Sequence, residues 1–306
     1  MRVFSYSLLF SILFFNSLIV LSQNEIEPLR VKIFNEQLIN FGGEVGDTTV
    51  VKRLQNGRVV YKKVTVPEFK KGTDVSITLK LRSNGDRWDK SGSCFVVTNP
   101  EQIDLIDVAL KNEKFPAHSG IGDELGVKRT ENYAPAVELM RFMTPFGVGY
   151  YSDEGKHPNI KYGRPVYVPK WEDEVIWKTD ISDLATLVTG TFYIGVWIDT
   201  WTAEGYMIDM ELQYSGRPRP KLHVLPLFNT VYYVDGQKIP ELFVTAPLAI
   251  SFKADTNIKD ATLHYITTGH GGHSGGDEFI KIENSIYLDT QLVWRKTPWR
   301  DERMAQ

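Results

Sequence analysis

The chain has 306 residues and a formal net charge of -3 with no block of like charges, which leaves no electrostatic footprint for nucleic acid or for an anionic membrane surface. Its single cysteine, Cys94, excludes an intramolecular disulfide and reads as a buried strand residue, so the fold must rest on its apolar core. The chain opens with a basic Arg2 and a run from Leu8 to Leu21 interrupted only by Ser11, Asn16 and Ser17. That run is too short for a span of about 20 residues, and Gln23-Asn24-Glu25 follows it with polar side chains. Residues 1–22 therefore read as a signal peptide cleaved near Ser22, with an uncleaved anchor helix as the alternative; cleavage predicts a secreted or periplasmic protein with no membrane association afterwards.

The remaining chain is dominated by a period of two. Val75, Ile77, Leu79 and Leu81 alternate with Ser76, Thr78, Lys80 and Arg82, as a strand with one buried face requires. In chain order, further strands are predicted over 59–66, 93–98, 137–143, 191–201, 207–214, 249–253, 261–267 and 280–288, separated by turns rich in Gly, Pro, Asn and Asp. Helical signals are few. Ser182 can cap a short helix that Gly190 ends, and Asn99-Pro100 can open a second. The stretch from Gln213 to Pro220, with Ser215, Gly216, Pro218 and Pro220, suits an exposed connector. Many short strands in two halves predict an all-β fold of two consecutive antiparallel jelly-roll sandwiches, an N-terminal domain at 23–216 and a C-terminal domain at 217–306.

Two places put an acid beside an indole. In the strand predicted at 191–201, Phe192, Ile194, Val196 and Ile198 point one way, while Tyr193, Gly195, Trp197, Asp199 and Trp201 point the other. A carboxylate between tryptophans suits a sugar, whose ring faces stack on aromatics and whose hydroxyls need hydrogen-bond partners. The same pattern also suits two core tryptophans with a solvated aspartate. Trp88-Asp89, after the turn-like Ser83-Asn84-Gly85-Asp86, repeats the arrangement ahead of the strand through Cys94.

Four segments, in order, resemble the peptide-N-glycosidase F family: Asp86-Arg87-Trp88-Asp89, RFMTPFGVG from Arg141 to Gly149, IDTWTAEG from Ile198 to Gly205, and TGHGGHSGGDEF from Thr268 to Phe279. The resemblance spans roughly Arg30 to Trp294. It implies two side-by-side jelly rolls, a cleft between them, no cofactor, and cleavage of the amide between asparagine and the first N-acetylglucosamine of an N-linked glycoprotein or glycopeptide. By position, it implies catalytic roles for Asp89, Asp199 and Glu278, with Asp89 central. Trp88, Lys90, Phe146, Trp201, Glu204, His270 and Phe279 then contact substrate. The chain departs from the family at the site itself, with Asp199 for glutamate, Lys90 for arginine, Glu204 for lysine and Phe146 for tyrosine.

Two other classes remain open. A glycan-binding module could keep the cleft after losing catalysis. A metal-dependent enzyme, similar to the copper monooxygenases that share a jelly roll, would use His264, His270 and His273, although Gly269, Gly271 and Gly272 favour a tight turn there. Family members continue beyond the counterpart of Trp294 with more strands, so the C-terminal domain reads as incomplete. The expected state is a monomer, unless another chain completes that domain.

Overall fold

The computed structural model describes residues 28–42, 50–69, 72–97, 102–117, 124–152, 168, 170–238, 247–253, 260–268 and 282–297. The predicted signal peptide, Asn99-Pro100, and the candidate residues His270, His273, Glu278 and Phe279 lie outside them. Among the described residues no helix is long and apolar enough to cross a membrane.

The strands are β1 (Leu29–Ile39), β2 (Lys52–Leu54), β3 (Val59–Val66), β4 (Val75–Ser83), β5 (Ser91–Val97), β6 (Val137–Met143), β7 (Val175–Asp180), β8 (Gly190–Ile198), β9 (Tyr206–Tyr214), β10 (Asn284–Leu288) and β11 (Gln291–Lys296), with one short helix α1 (Leu105–Ala109). They form a four-stranded sheet of order β1-β9-β4-β7, a five-stranded sheet of order β2-β3-β8-β5-β6, and a β10-β11 hairpin. All pairings within these sheets are antiparallel. The two larger sheets face each other as a jelly-roll sandwich.

The alternation along β4 explains the packing. Val75, Ile77, Leu79 and Leu81 all turn inward and are buried, and β9 answers with Tyr206, Ile208, Met210, Leu212 and Tyr214. Against them the five-stranded sheet sets Val60, Cys94, Val96, Phe192, Ile194, Val196 and Ile198. Each fully buried aliphatic side chain here contributes about 1.5–3 kcal/mol. Cys94 is a buried strand residue as expected, and burial pushes its thiol far above the ordinary range.

The five-stranded sheet is covered on its other face too. Val59, Tyr61, Phe95, Val97 and Trp197 pack against Leu105 and Ile106 of α1, Tyr133, and the later Val231, Tyr233 and Val234. This is why β5 and β8 read as nearly continuous apolar runs while β4 and β9 alternate. The cap of α1 is Asp104, which accepts the N–H groups of Ile106 and Asp107 at 2.7 and 3.0 Å. Asp107 returns the bond to the Asp104 N–H, completing a capping box.

Several expectations need correction. Residues 249–253 and 261–267 form no strand, and Leu263 and Ile266 are exposed. A period-two pattern specifies a face, but a strand also needs a neighbour to take its backbone hydrogen bonds, and these segments pair with none among the described residues. The strand predicted to 201 stops at Ile198, because Asp199 begins the turn into β9. Residues 182–187 form a 3-10 turn, not a capped α-helix. The Ser182 hydroxyl accepts the Val75 N–H at 2.9 Å and bonds the Asp180 carboxylate, so it ties the turn to the sheet. Helix α1 is capped by Asp104, and the predicted opening at Asn99-Pro100 lies outside the described residues. Strands β1, β2, β7 and β11 lie outside the predicted set; bulges in the β1 register break the alternation that Leu29, Val31 and Ile33 begin.

A candidate active-site cleft

Sheet topology brings the two described acids together. Asp89 stands two residues before β5, and Asp199 immediately follows β8. The two strands are antiparallel neighbours with Gly92 opposite Ile198, so the start of one adjoins the end of the other. The Asp199 N–H donates to the Ser91 carbonyl at 2.9 Å, which seals this junction. The β4–β5 and β8–β9 connections both cross from one sheet to the other at this end of the sandwich.

A buried polar network fixes those two connections. Asp86 is 1 % exposed; one carboxylate oxygen accepts the Trp88 N–H at 3.0 Å and the other accepts the Thr200 hydroxyl at 2.7 Å. One side chain therefore holds the loop of Asp89 and the loop of Asp199. Thr144, just after β6, accepts the Lys90 N–H at 2.7 Å and donates to the Trp88 carbonyl at 2.8 Å. The Tyr206 hydroxyl donates to the same carbonyl at 2.5 Å. Burial, with Asp86 nearby, raises that phenol well above its ordinary pKa, so it remains a donor at neutral pH. Gly205 closes the β8–β9 turn at φ +61, where an added Cβ would lie 2.0 Å from the Ile39 carbonyl oxygen. Only glycine fits there.

The resulting cleft has a volume of about 580 Å3. Asp89, Lys90, Asp199 and Trp201 line it, together with Arg58, Arg141 and Tyr232. Asp89 is exposed to solvent at its mouth. Asp199 pairs with Arg58 at 3.2 Å, with side-chain exposures of 42 % and 10 % respectively. Trp201 is 57 % exposed where it lines the cleft, and Phe41 packs on it at 5.1 Å between centroids. Trp88 is also exposed, backed by Phe146 at 5.7 Å. Phe146 in turn touches Tyr151, which packs on Trp171, so a row of rings supports the Trp88 loop.

The candidate residues thus divide. Asp89, Lys90, Asp199 and Trp201 converge in the cleft, and Trp88 and Phe146 flank it on the same loops. Glu204 is exposed on the β8–β9 turn, where its carbonyl accepts the Asn84 side-chain amide at 2.9 Å. Trp197 behaves as a core residue: it is 8 % exposed and its indole N–H donates to the Gln55 side chain at 3.2 Å. The period-two reading placed it on the face of Asp199, which is correct, but that face is covered by the second core until the strand ends. Of the fourth segment of resemblance only Thr268 is described, and it lines the cleft.

His264 is exposed and lies 3.8 Å from Asp183, away from the cleft residues. Among the described residues no three His, Cys, Asp or Glu side chains are grouped as a metal would need.

Sequence reasoning missed Gln55, Arg58, Thr230 and Tyr232. The first two come from the turn before β3, and the others from the segment after the first sandwich. An arginine directly after an Asn-Gly turn was the one available signal for Arg58. It carries no periodicity, and its proximity to Asp199 arises only from the β3–β8 pairing.

Comparison with known proteins agrees with this architecture. A search of curated proteins found no match. Two solved structures of PNGF-II, in space groups C2 and P21, are 32 % and 31 % identical to the chain and superpose with TM-scores of 0.76, covering 90 % of this chain and 51 % of theirs. The chain therefore spans about half the length of these relatives. PNGase F, a glycosylasparaginase from Flavobacterium meningosepticum, is a distant likeness, 14 % identical with a TM-score of 0.36 over 67 % of this chain and 44 % of that one. The family model for the N-terminal domain of peptide-N-glycosidase F matches residues 30–214, and that for its C-terminal domain matches residues 238–305. With the N-terminal model alone matching more than half of its length, this all-β chain belongs to the peptide-N-glycosidase F family.

Proposed function

We propose that this chain is a secreted amidase that hydrolyses the bond between asparagine and the proximal N-acetylglucosamine of N-linked glycoproteins. The observation that carries the reading is the convergence of Asp89 and Asp199, from connections far apart in sequence, on one cleft beside the exposed Trp201. Amide hydrolysis needs a carboxylate to orient or deprotonate the attacking water and an acid to protonate the departing amine, help worth about 10²- to 10⁴-fold per group. Water adds to the side-chain carbonyl, the C–N bond breaks, the glycosylamine leaves with a proton, and asparagine becomes aspartate.

In this reading Asp89 acts on the water, while Asp199 and Trp201 hold the proximal sugar. Glu278, placed by resemblance alone, completes the set. The test is incubation of the chain from Gln23 with an asparagine-linked glycopeptide, read by mass spectrometry. Free glycan together with conversion of the asparagine to aspartate supports the amidase; intact glycopeptide with folded protein refutes it. A glycan-binding module is the second reading, favoured by the exposed indoles of Trp88 and Trp201 at the cleft. It predicts glycopeptide binding without release.

A further inference from the structure

Arg58 is the cation of the cleft that neither the resemblance nor the fold explains. It directly follows the Gln55–Gly57 turn, and its side chain is largely buried. The guanidinium carbon lies 4.4 Å from the Trp201 ring centroid and 5.4 Å from that of Phe41. One guanidinium nitrogen reaches Asp199 at 3.2 Å. The backbone is fixed as well, since the Arg58 carbonyl accepts the Ile198 N–H at 3.1 Å, one residue before Asp199. A planar cation thus contacts two aromatic rings and a carboxylate at once, a set of contacts an ammonium cannot reproduce.

The geometry points to Arg58 as a positioning residue: it holds the Asp199 carboxylate and the Trp201 indole in the orientation that receives the first sugar. The inference rests on the amidase reading and deepens it. The ion pair engages one oxygen of Asp199 on the Arg58 side. It also fixes a carboxylate one methylene shorter than the glutamate the family carries at this position. Cation–π contact with Arg58 holds Trp201 in place, while more than half of its surface stays exposed for a sugar ring.

Arg58→Met, which keeps much of the bulk between the rings, and Arg58→Lys, which keeps the charge, test this. Three quantities are measured: kcat and KM on the glycopeptide, affinity for N,N'-diacetylchitobiose, and the 19F line of Trp201 in protein labelled with 5-fluorotryptophan, assigned with Trp201→Phe. In Arg58→Met the Trp201 line should move or broaden, and chitobiose affinity should fall about 10-fold. In the same variant kcat should fall on the order of 100-fold, the cost of shifting the bound sugar, and with it the scissile amide, by about 1 Å relative to Asp89. Arg58→Lys should restore part of kcat and little of the chitobiose affinity. An unchanged Trp201 line in Arg58→Met overturns the inference, and so does a changed line with unchanged chitobiose affinity. Wild-type protein that releases no glycan ends the amidase reading; the clamp is then judged by the line and the affinity alone.

Discussion

Replacing Asp86 with alanine is the sharpest structural perturbation of this cleft. The carboxylate is nearly fully buried and accepts one N–H and one hydroxyl, from Trp88 and Thr200. Its removal strands the buried Thr200 hydroxyl and frees the part-buried Trp88 N–H, and at about 1–3 kcal/mol for an unsatisfied buried group the expected loss is about 1–4 kcal/mol. Both donors sit next to candidate acids, Trp88 beside Asp89 and Thr200 beside Asp199. Loosening them by about 1 Å should also cost about 100-fold in glycan release. Asp86→Asn separates the two effects: its oxygen can still accept the Trp88 N–H, and its amide can donate to the Thr200 hydroxyl once that hydroxyl rotates. It should therefore lose about 1–2 kcal/mol, the difference between a charge-assisted and a neutral bond. Urea unfolding monitored by tryptophan fluorescence gives the stability, and glycopeptide release gives the rate. An alanine variant within about 0.5 kcal/mol of wild type would refute the assignment of Asp86 as the tie between the two loops.

Further outcomes follow from individual side chains. Asp89→Asn should abolish glycan release while leaving the unfolding midpoint unchanged, because its carboxylate is exposed and no described side chain bonds it; retained release would remove Asp89 from the central role. Leu79→Ala, in the middle of β4 and fully buried between the sheets, should lower stability by about 2–5 kcal/mol in urea unfolding, and a loss under about 1 kcal/mol would mean that the sandwich is not packed there. Burial raises the Asp104 carboxyl to about 6 from an ordinary carboxylate value, outweighing the N–H groups it caps. Folding therefore favours its protonated form, so its contribution is fully present below the unfolded value of about 4 and is lost as pH rises through about 6. Asp104→Asn keeps an accepting oxygen for the cap and removes this titration. Its stability should fall less than that of wild type between about pH 4 and pH 7, and equal slopes would exclude Asp104 as the source.

The sequence by itself determined the layers. Alternation in β4 marked a strand with one face inward, and the run through Cys94 marked a buried strand; that both its faces are covered is seen only in the structure. Those patterns are local, because a side chain's face follows from the pleat alone. The acids of the cleft were legible as acids beside indoles, and the spaced segments from Asp86, Arg141 and Ile198 suggested that they belong together. Tertiary structure alone decided which of them meet. Strand pairing sets β5 beside β8 and β8 beside β3, and that is what delivers Asp89, Asp199 and Arg58 to one cleft. It also decided that Trp197 is core and Trp201 is surface, although both lie on one face of the pattern, because the second core ends where β8 ends. Pairing is a long-range choice made by the burial of whole sheets, and no window of sequence contains it.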